Sequence, residues 1–199
     1  FVNFFVNREA AEKTAQDVEL RGGAAHVLQA DLKEPSEIRK MFAEVERVTD
    51  RLDVLVNNAA SGVLRNALDL SAKQWDWVLN TNARTLLLCV QAALGLMRPG
   101  ARVISLSSLG SGRVIPGYAA IGVSKAALEA VTRYLAAELA PRGSATNAVA
   151  AGAVETDVWR AIPNGPAALE QIRARTPSGN LVSAEAVAEV VWFLAGPAA

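Results

Sequence analysis

Cysteine is almost missing from this chain of 199 residues, and the single thiol, Cys89, leaves no internal disulfide to staple the fold. Its setting in LLLCVQAAL reads as the apolar side of a buried helix and fits a reducing compartment. Histidine is as scarce: His26, in AAHVLQADL, has no second ligand in view, so no metal centre is expected. An excess of one charge is absent too. Twenty Lys and Arg offset twenty Asp and Glu, with no basic run, which gives no footing for nucleic-acid binding. The apolar stretches are strand-length or broken by polar residues, so no membrane span is expected, and no signal peptide is evident. These absences lead to the expectation of a soluble, cytoplasmic protein. Aromatic residues make up only 6% of the chain, and there are two tyrosines, so the setting of each tyrosine carries weight.

Tyr118 is followed seven residues later by Lys125 in PGYAAIGVSKAALEA. At ~100° per residue, a step of seven returns to within roughly 20° of its starting direction, two turns along a helix. If Tyr118 lies in that helix or continues its first turn, phenol and ammonium share one face. A phenol beside a lysine suits donation of a proton, or a strong hydrogen bond, to a developing oxyanion. The alternative is a half-buried packing tyrosine near a solvated lysine, and the pair alone does not choose between them.

Along the chain, strand and helix patterns alternate, as in a parallel sheet covered on both faces. FVNFFV opens as a buried strand over 1–6, a helix over 8–20 ends at Gly22–Gly23, and a second strand covers 26–30. Ile38, Met41, Phe42 and Val45 fall at i, i+3, i+4 and i+7, an amphipathic helix over 36–49. A strand over 52–56 follows. Ser71 with Gln74 offers a capping box for a long helix reaching about Met97. A strand over 102–107, a helix from about Tyr118 to Ala140 and a strand over 145–149 come next. An irregular segment rich in proline and glycine is expected over 162–180, and Ser183 caps a last helix over 184–194. No internal repeat or second domain is visible.

Two apolar, β-branched runs stop at small polar residues, as buried strands do when they deliver a loop to a site: LDVLVNNAAS at 52–61 and RVISLSSLGS at 102–111. Together with Asn82 in NTNA, the Tyr118–Lys125 helix and NAVAAGAVETD at 147–157, they resemble the short-chain dehydrogenase/reductase superfamily over the whole chain. The resemblance implies a Rossmann-like, doubly wound α/β/α fold. Carbonyl reductases of that superfamily carry their tyrosine four residues before the lysine, where this chain has Ile121, which has no proton to give. The seven-residue spacing instead resembles the enoyl-acyl carrier protein reductases, and NNAASGVLR, SSLGS and VSKAALEAVTRYLA are most similar to their NADPH-using subtype. A chemical reason supports the shift. Hydride delivered to the β-carbon of an enoyl thioester puts negative charge on the thioester oxygen, farther from the accepting carbon than in a ketone. Moving the phenol about one helical turn, ~5 Å, lets it follow that oxygen while the lysine stays with the cofactor.

What the resemblance implies for single residues follows from the matching motifs. Tyr118 polarises the thioester oxygen, and Lys125 holds the nicotinamide ribose. Asn82 leads a proton relay towards the lysine, and Ser108 and Leu109 line the substrate pocket. Asp31 and the amide of Leu32 meet the adenine, although Asp31 also suits a helix cap. Asn57 and Asn58 bridge strand backbones at a strand end. Asn58, Ala59 and Ala60 follow the adenosine ribose, and Val154 and Thr156 meet the carboxamide and a phosphate. Here Ala151–Gly152 stands in place of the family's proline–glycine pair. Arg8 suits the 2′-phosphate of NADPH, and no acidic residue ends the first strand to favour NADH, although a solvated arginine is the alternative. Trp159 and Ile162 belong to an expected lid over 155–180.

One family feature is missing: no glycine-rich turn for a pyrophosphate precedes the first helix. Phe1 falls where the second strand of the fold belongs, so residues 1–199 are expected to form a single domain lacking the first strand, glycine loop, first helix and C-terminal end. The expected partners are an acyl carrier protein or CoA thioester and further copies of the chain. The apolar surplus of LLLCVQAALGLM and AALEAVTRYLAAEL, with Ala126, Ala127, Ala130, Ala136 and Ala137, points to helix pairing in a homodimer or homotetramer. A carbonyl reductase or alcohol dehydrogenase of the same fold, and a non-catalytic oligomer partner, remain alternatives.

Overall fold

The computed structural model describes residues 1–156, 158–161, 164–197 and 199. All pairing between its named strands is parallel, which follows from the helices that intervene between successive strands. Strands β1 (Val2–Phe4) and β2 (Val27–Gln29) pair with each other, with Val2 opposite Val27. Strands β3 (Leu52–Asn57), β4 (Met97–Ser108) and β5 (Ala145–Ala151) form a second sheet in that order, with Asn57 opposite Ser105 and Ser108 opposite Ala151.

Helices cover both faces. Ile38, Met41, Phe42 and Val45 of α2 (Pro35–Val48) form the buried stripe that their spacing predicts. They cluster with Leu86 and Val90 of α4 (Thr85–Ala93), Val103 of β4 and Leu128 of α5 (Ala119–Leu139). Each fully buried side chain of this size contributes roughly 1.5–3 kcal/mol by leaving water. Alternation along β4 sends Leu106 to the opposite face, which meets α8 (Ala184–Ala195). Helix α1 (Arg8–Leu20) packs on β1 and β2. The result is a Rossmann-like α/β fold, as expected.

Several boundaries differ from the sequence reading. The expected long helix after Ser71 is broken. Its capping box is present, but α3 (Ala72–Leu79) gives way to a π-helical turn at Asn80–Arg84 before α4 starts. Thr81 and Thr85 donate their hydroxyls to Trp77 O and Thr81 O, which loosens the helical ladder there. Met97 belongs to β4 and not to the helix. Helix α5 begins at Ala119, with Tyr118 as the residue that caps it. A short helix, α6 (Val158–Ala161), precedes the segment expected to be irregular, and part of that segment is helical, as α7 (Gly165–Arg175). Pro166 starts α7 with its fixed φ, and ALEQIRAR then supplies strong helix formers. Among the described residues no helix is long and apolar enough to cross a membrane.

Candidate active site

The carboxyl end of β4 gathers the chemistry. Tyr118 is delivered by a tight turn in which its N–H donates to Ile115 O at 3.1 Å, with Pro116 and Gly117 between. Gly117 has φ +71, a left-handed conformation that favours glycine, and proline before it presets the other half of the turn. The Tyr118 hydroxyl then lies 3.3 Å from Ser108 Oγ. Ser108 Oγ also accepts the Gly110 N–H at 3.2 Å. Two turns further along α5, Lys125 is only 6% exposed and donates from Nζ to Leu106 O at 2.6 Å. Tyrosine and lysine therefore both reach β4, at Ser108 and Leu106, two residues apart. Burial pulls the Lys125 ammonium down to about 8, because its surroundings disfavour the charged form.

Asn82, fully buried in the π-helical turn, ties three segments together. Its carbonyl oxygen accepts from Ser61 N at 2.8 Å. Its amide donates to Ser61 O and to Ser124 Oγ, each at 2.9 Å. The loop after β3 is thereby pinned to α5 on the helical turn that carries Lys125. A buried amide satisfied on both ends fixes geometry, since losing a partner leaves a desolvated polar group. Asn57 differs from its expected role. Its amide nitrogen is buried without a hydrogen-bond partner among the described residues, so it does not bridge the strand backbones.

Ile121 points at the loop that Asn82 holds. A Cβ built on Gly62 would lie 2.4 Å from Ile121 Cδ1, so glycine is what allows this contact. Tyr118 has a similar neighbour in Gly110, whose added Cβ would lie 2.6 Å from the tyrosine ring.

Asn58, Ser107, Val154 and Thr156 line one hollow at the carboxyl ends of β3, β4 and β5, which continues over Val56 and Leu106 along the open sheet face to α8. The Asn58 amide and the Thr156 hydroxyl, with Lys125 reaching β4 at Leu106, are donors that suit the hydroxyls and phosphates of a dinucleotide, in the crevice where such sheets bind ligands, whereas the Ser107 hydroxyl is committed to Glu129. Ala59 and Ala60 are exposed beside Asn58. Arg8 is exposed at the β1 end, with Nη2 3.5 Å from Gln29 Oε1, Nη1 near Glu12 and its guanidinium over the Phe4 ring. Asp31 does not cap α2. Its carboxylate accepts Lys33 N at 3.0 Å and pairs with the Lys33 ammonium, with Leu32 half-buried between them. Leu109 is 43% exposed beside Ser108. Trp159 donates its indole N–H to Val154 O at 2.8 Å, which ties α6 to the loop after β5. Ile162 lies outside the described residues.

A second hollow, of about 470 Å³, abuts Tyr118 and is walled by the 110–119 loop and by Gly122, Val123 and Ala126 of α5. Sequence reasoning overlooked Gly62, Gly110, Gly122 and Ser124. Of these, only the glycines carry a signal in the sequence, because glycine after a strand or in a first helical turn marks close approach. Burial pushes the Cys89 thiol up to about 12, in keeping with a core residue. Among the described residues no group of histidine, cysteine and carboxylate side chains forms a metal site.

A family model described as Enoyl-(Acyl carrier protein) reductase matches residues 2–199, and the chain belongs to this family of short-chain dehydrogenase/reductases. The 1-cyclohexenylcarbonyl-CoA reductase of Streptomyces collinus is 36% identical over 200 residues, covering 100% of this chain and 71% of that protein. The 3-oxoacyl-[acyl-carrier-protein] reductase FabG of Staphylococcus aureus is 34% identical, covering 98% and 79%. A short-chain dehydrogenase from Burkholderia cenocepacia, solved in complex with NADP, superposes with a TM-score of 0.90 at 32% identity, covering 98% of this chain and 79% of that one.

Proposed function

We propose that this protein reduces the carbon–carbon double bond of a trans-2-enoyl thioester, carried on acyl carrier protein or CoA, at the expense of NADPH. The observation that carries the reading is the placement of Tyr118. The tyrosine stands seven residues before Lys125, and the position four residues before Lys125 holds Ile121, packed on Gly62. The family description and the Streptomyces collinus relative, whose name specifies an unsaturated acyl-CoA, support the same choice. NADPH is favoured over NADH by Arg8 beside the β1–β2 edge and by the NADP-bound structural relative.

When bound, the nicotinamide nucleotide supplies a hydride. The Tyr118 hydroxyl donates a hydrogen bond to the thioester oxygen as negative charge builds there, a contribution of roughly 3–4 kcal/mol for one well-placed donor, and the α-carbon of the enolate then takes a proton from Tyr118 or from solvent. Lys125 leaves Leu106 O for the ribose hydroxyls and sets positive charge near the phenol. Asn82 holds the Ser61 loop against α5 so that these groups keep their places. Asp31, Leu32, Asn58, Ala59, Ala60, Val154 and Thr156 contact the cofactor. Ser108, Leu109 and Trp159 contact the substrate.

We propose further that the complete protein adds a strand between β1 and β3 and a helix over the face where Val56 is 44% and Trp192 81% exposed, that it works in the cytoplasm, and that it forms a homodimer or homotetramer through α4 and α5. One observation favours a second reading, carbonyl reduction. The Tyr118–Ser108 contact is the hydroxyl pair that a ketone oxygen would need, and FabG is named as a ketoacyl reductase. NADPH oxidation by the complete protein with crotonyl-CoA and with acetoacetyl-CoA separates the two. Faster turnover of crotonyl-CoA supports the enoyl reading, and faster turnover of acetoacetyl-CoA sinks it.

A further inference from the structure

Gly110 stands at the meeting point of the two hydroxyl groups in the site. Its N–H donates to Ser108 Oγ at 3.2 Å, the same oxygen that faces the Tyr118 hydroxyl at 3.3 Å. Its bare Cα faces the tyrosine ring, where a methyl group would fall 2.6 Å from Cδ1 and 2.7 Å from Cε1. On its far side the Gly110 carbonyl rests on α5 at Gly122, where a Cβ would lie 2.7 Å from that oxygen. The second contact matters because it is backbone against helix, so the 109–111 turn has no room to retreat. Gly110 is not among the residues with positive φ, so the need for glycine here is a need for space.

We propose that Gly110 is a positioning residue: the glycine at 110, backed by Gly122, sets where the Tyr118 hydroxyl stands relative to Ser108. The neighbour that a side chain at 110 collides with is the tyrosine ring, Ile115 Cδ1 lying at an ordinary contact distance of 3.5 Å, and pushing that ring aside carries the hydroxyl off the substrate oxygen. Misplacement of a reacting group by about 1 Å costs on the order of a hundredfold in rate. The inference rests on the proposed role of Tyr118.

The test is a double-mutant cycle in the complete protein, with crotonyl-CoA and NADPH, on Gly110→Ala, Tyr118→Phe and the pair. Gly110→Ala is expected to lower kcat at least about tenfold, with KM for NADPH within about twofold of wild type. In the Tyr118→Phe background it is expected to change kcat by less than about twofold, because the hydroxyl it misplaces is already gone. An equal loss in both backgrounds overturns the proposal, since glycine would then act independently of the hydroxyl, as would wild-type turnover in Gly110→Ala. Wild-type turnover in Tyr118→Phe alone defeats the assignment of Tyr118 instead, which keeps the two failures distinct. If Gly110→Ala does not fold, Gly110→Ala with Tyr118→Ala removes the ring it collides with. Recovery of folding by circular dichroism supports the contact, and continued failure to fold overturns it.

Discussion

Ile121 lies against Gly62 so closely that a methyl group at position 62 would fall 2.4 Å from its Cδ1. The position four residues before Lys125 is thus occupied by aliphatic carbon seated on the loop after β3, and Asn82 pins that loop at Ser61. A larger, polar side chain there has to displace a loop with little freedom to move. Ile121→Tyr is expected to keep the fold, seen as an unchanged circular dichroism spectrum, and to lower kcat for enoyl-thioester reduction by about tenfold or more. Unchanged enoyl kinetics would mean that position 121 has no bearing on how the site chooses its acid.

Tyr118→Phe removes one hydroxyl and keeps the ring that packs on Gly110. It is expected to lower kcat at least about tenfold while NADPH affinity, measured by fluorescence titration, stays within about twofold. Undiminished turnover would remove Tyr118 from the chemistry.

The fold was legible where periodicity and burial coincide. The stripe of Ile38, Met41, Phe42 and Val45 and the apolar runs of β3 and β4 read directly as elements. What the buried Asn82 does in the π-helical turn was not legible, because its partner Ser61 lies 21 residues earlier in the chain. Helix α7 was hidden by Pro163, Gly165, Pro166 and Pro177, which sit at and beyond its ends and made helix-forming residues look like loop. In the site, the tyrosine–lysine spacing was readable because Tyr118 caps the helix that carries Lys125. The contacts of Gly110 with Tyr118 and of Gly62 with Ile121 join different segments, and spacing along one element carries no trace of them.

Lys125 provides a prediction in pH. Its folded-state value of about 8 lies below the ordinary 10.5. Between those values the unfolded chain holds a proton that the folded chain does not, so stability rises with pH across that window, and below about 8 the whole cost of burying the ammonium is present. Activity follows the opposite course. As kcat/KM reports the free enzyme, it is expected to fall as pH rises through about 8 and the charge is lost. Lys125→Met, which keeps the stem without the charge, is expected to bind NADPH weakly and to lose most turnover. Normal NADPH affinity in that variant would contradict a ribose-binding role.

The helices α4 and α5 supply a test of assembly. Leu87, Val123 and Tyr134 are exposed on them, Tyr134 at 74%, and Leu94 is exposed just after α4. The proposed interface between copies would cover this surface. Sedimentation of the complete protein at micromolar concentration is expected to show a dimer or tetramer, and Ala130→Glu is expected to dissociate it. A clean monomer in the unaltered protein, or an oligomer indifferent to Ala130→Glu, would place the interface elsewhere.

The central claim concerns which carbon receives the hydride. The most direct measurement offers the complete protein an equimolar mixture of crotonyl-CoA and acetoacetyl-CoA with NADPH deuterated at the transferring position of C4, and locates the label by NMR. Deuterium at the β-carbon of butyryl-CoA is the expected result. Deuterium confined to the carbinol carbon of 3-hydroxybutyryl-CoA would contradict it and make the protein a carbonyl reductase.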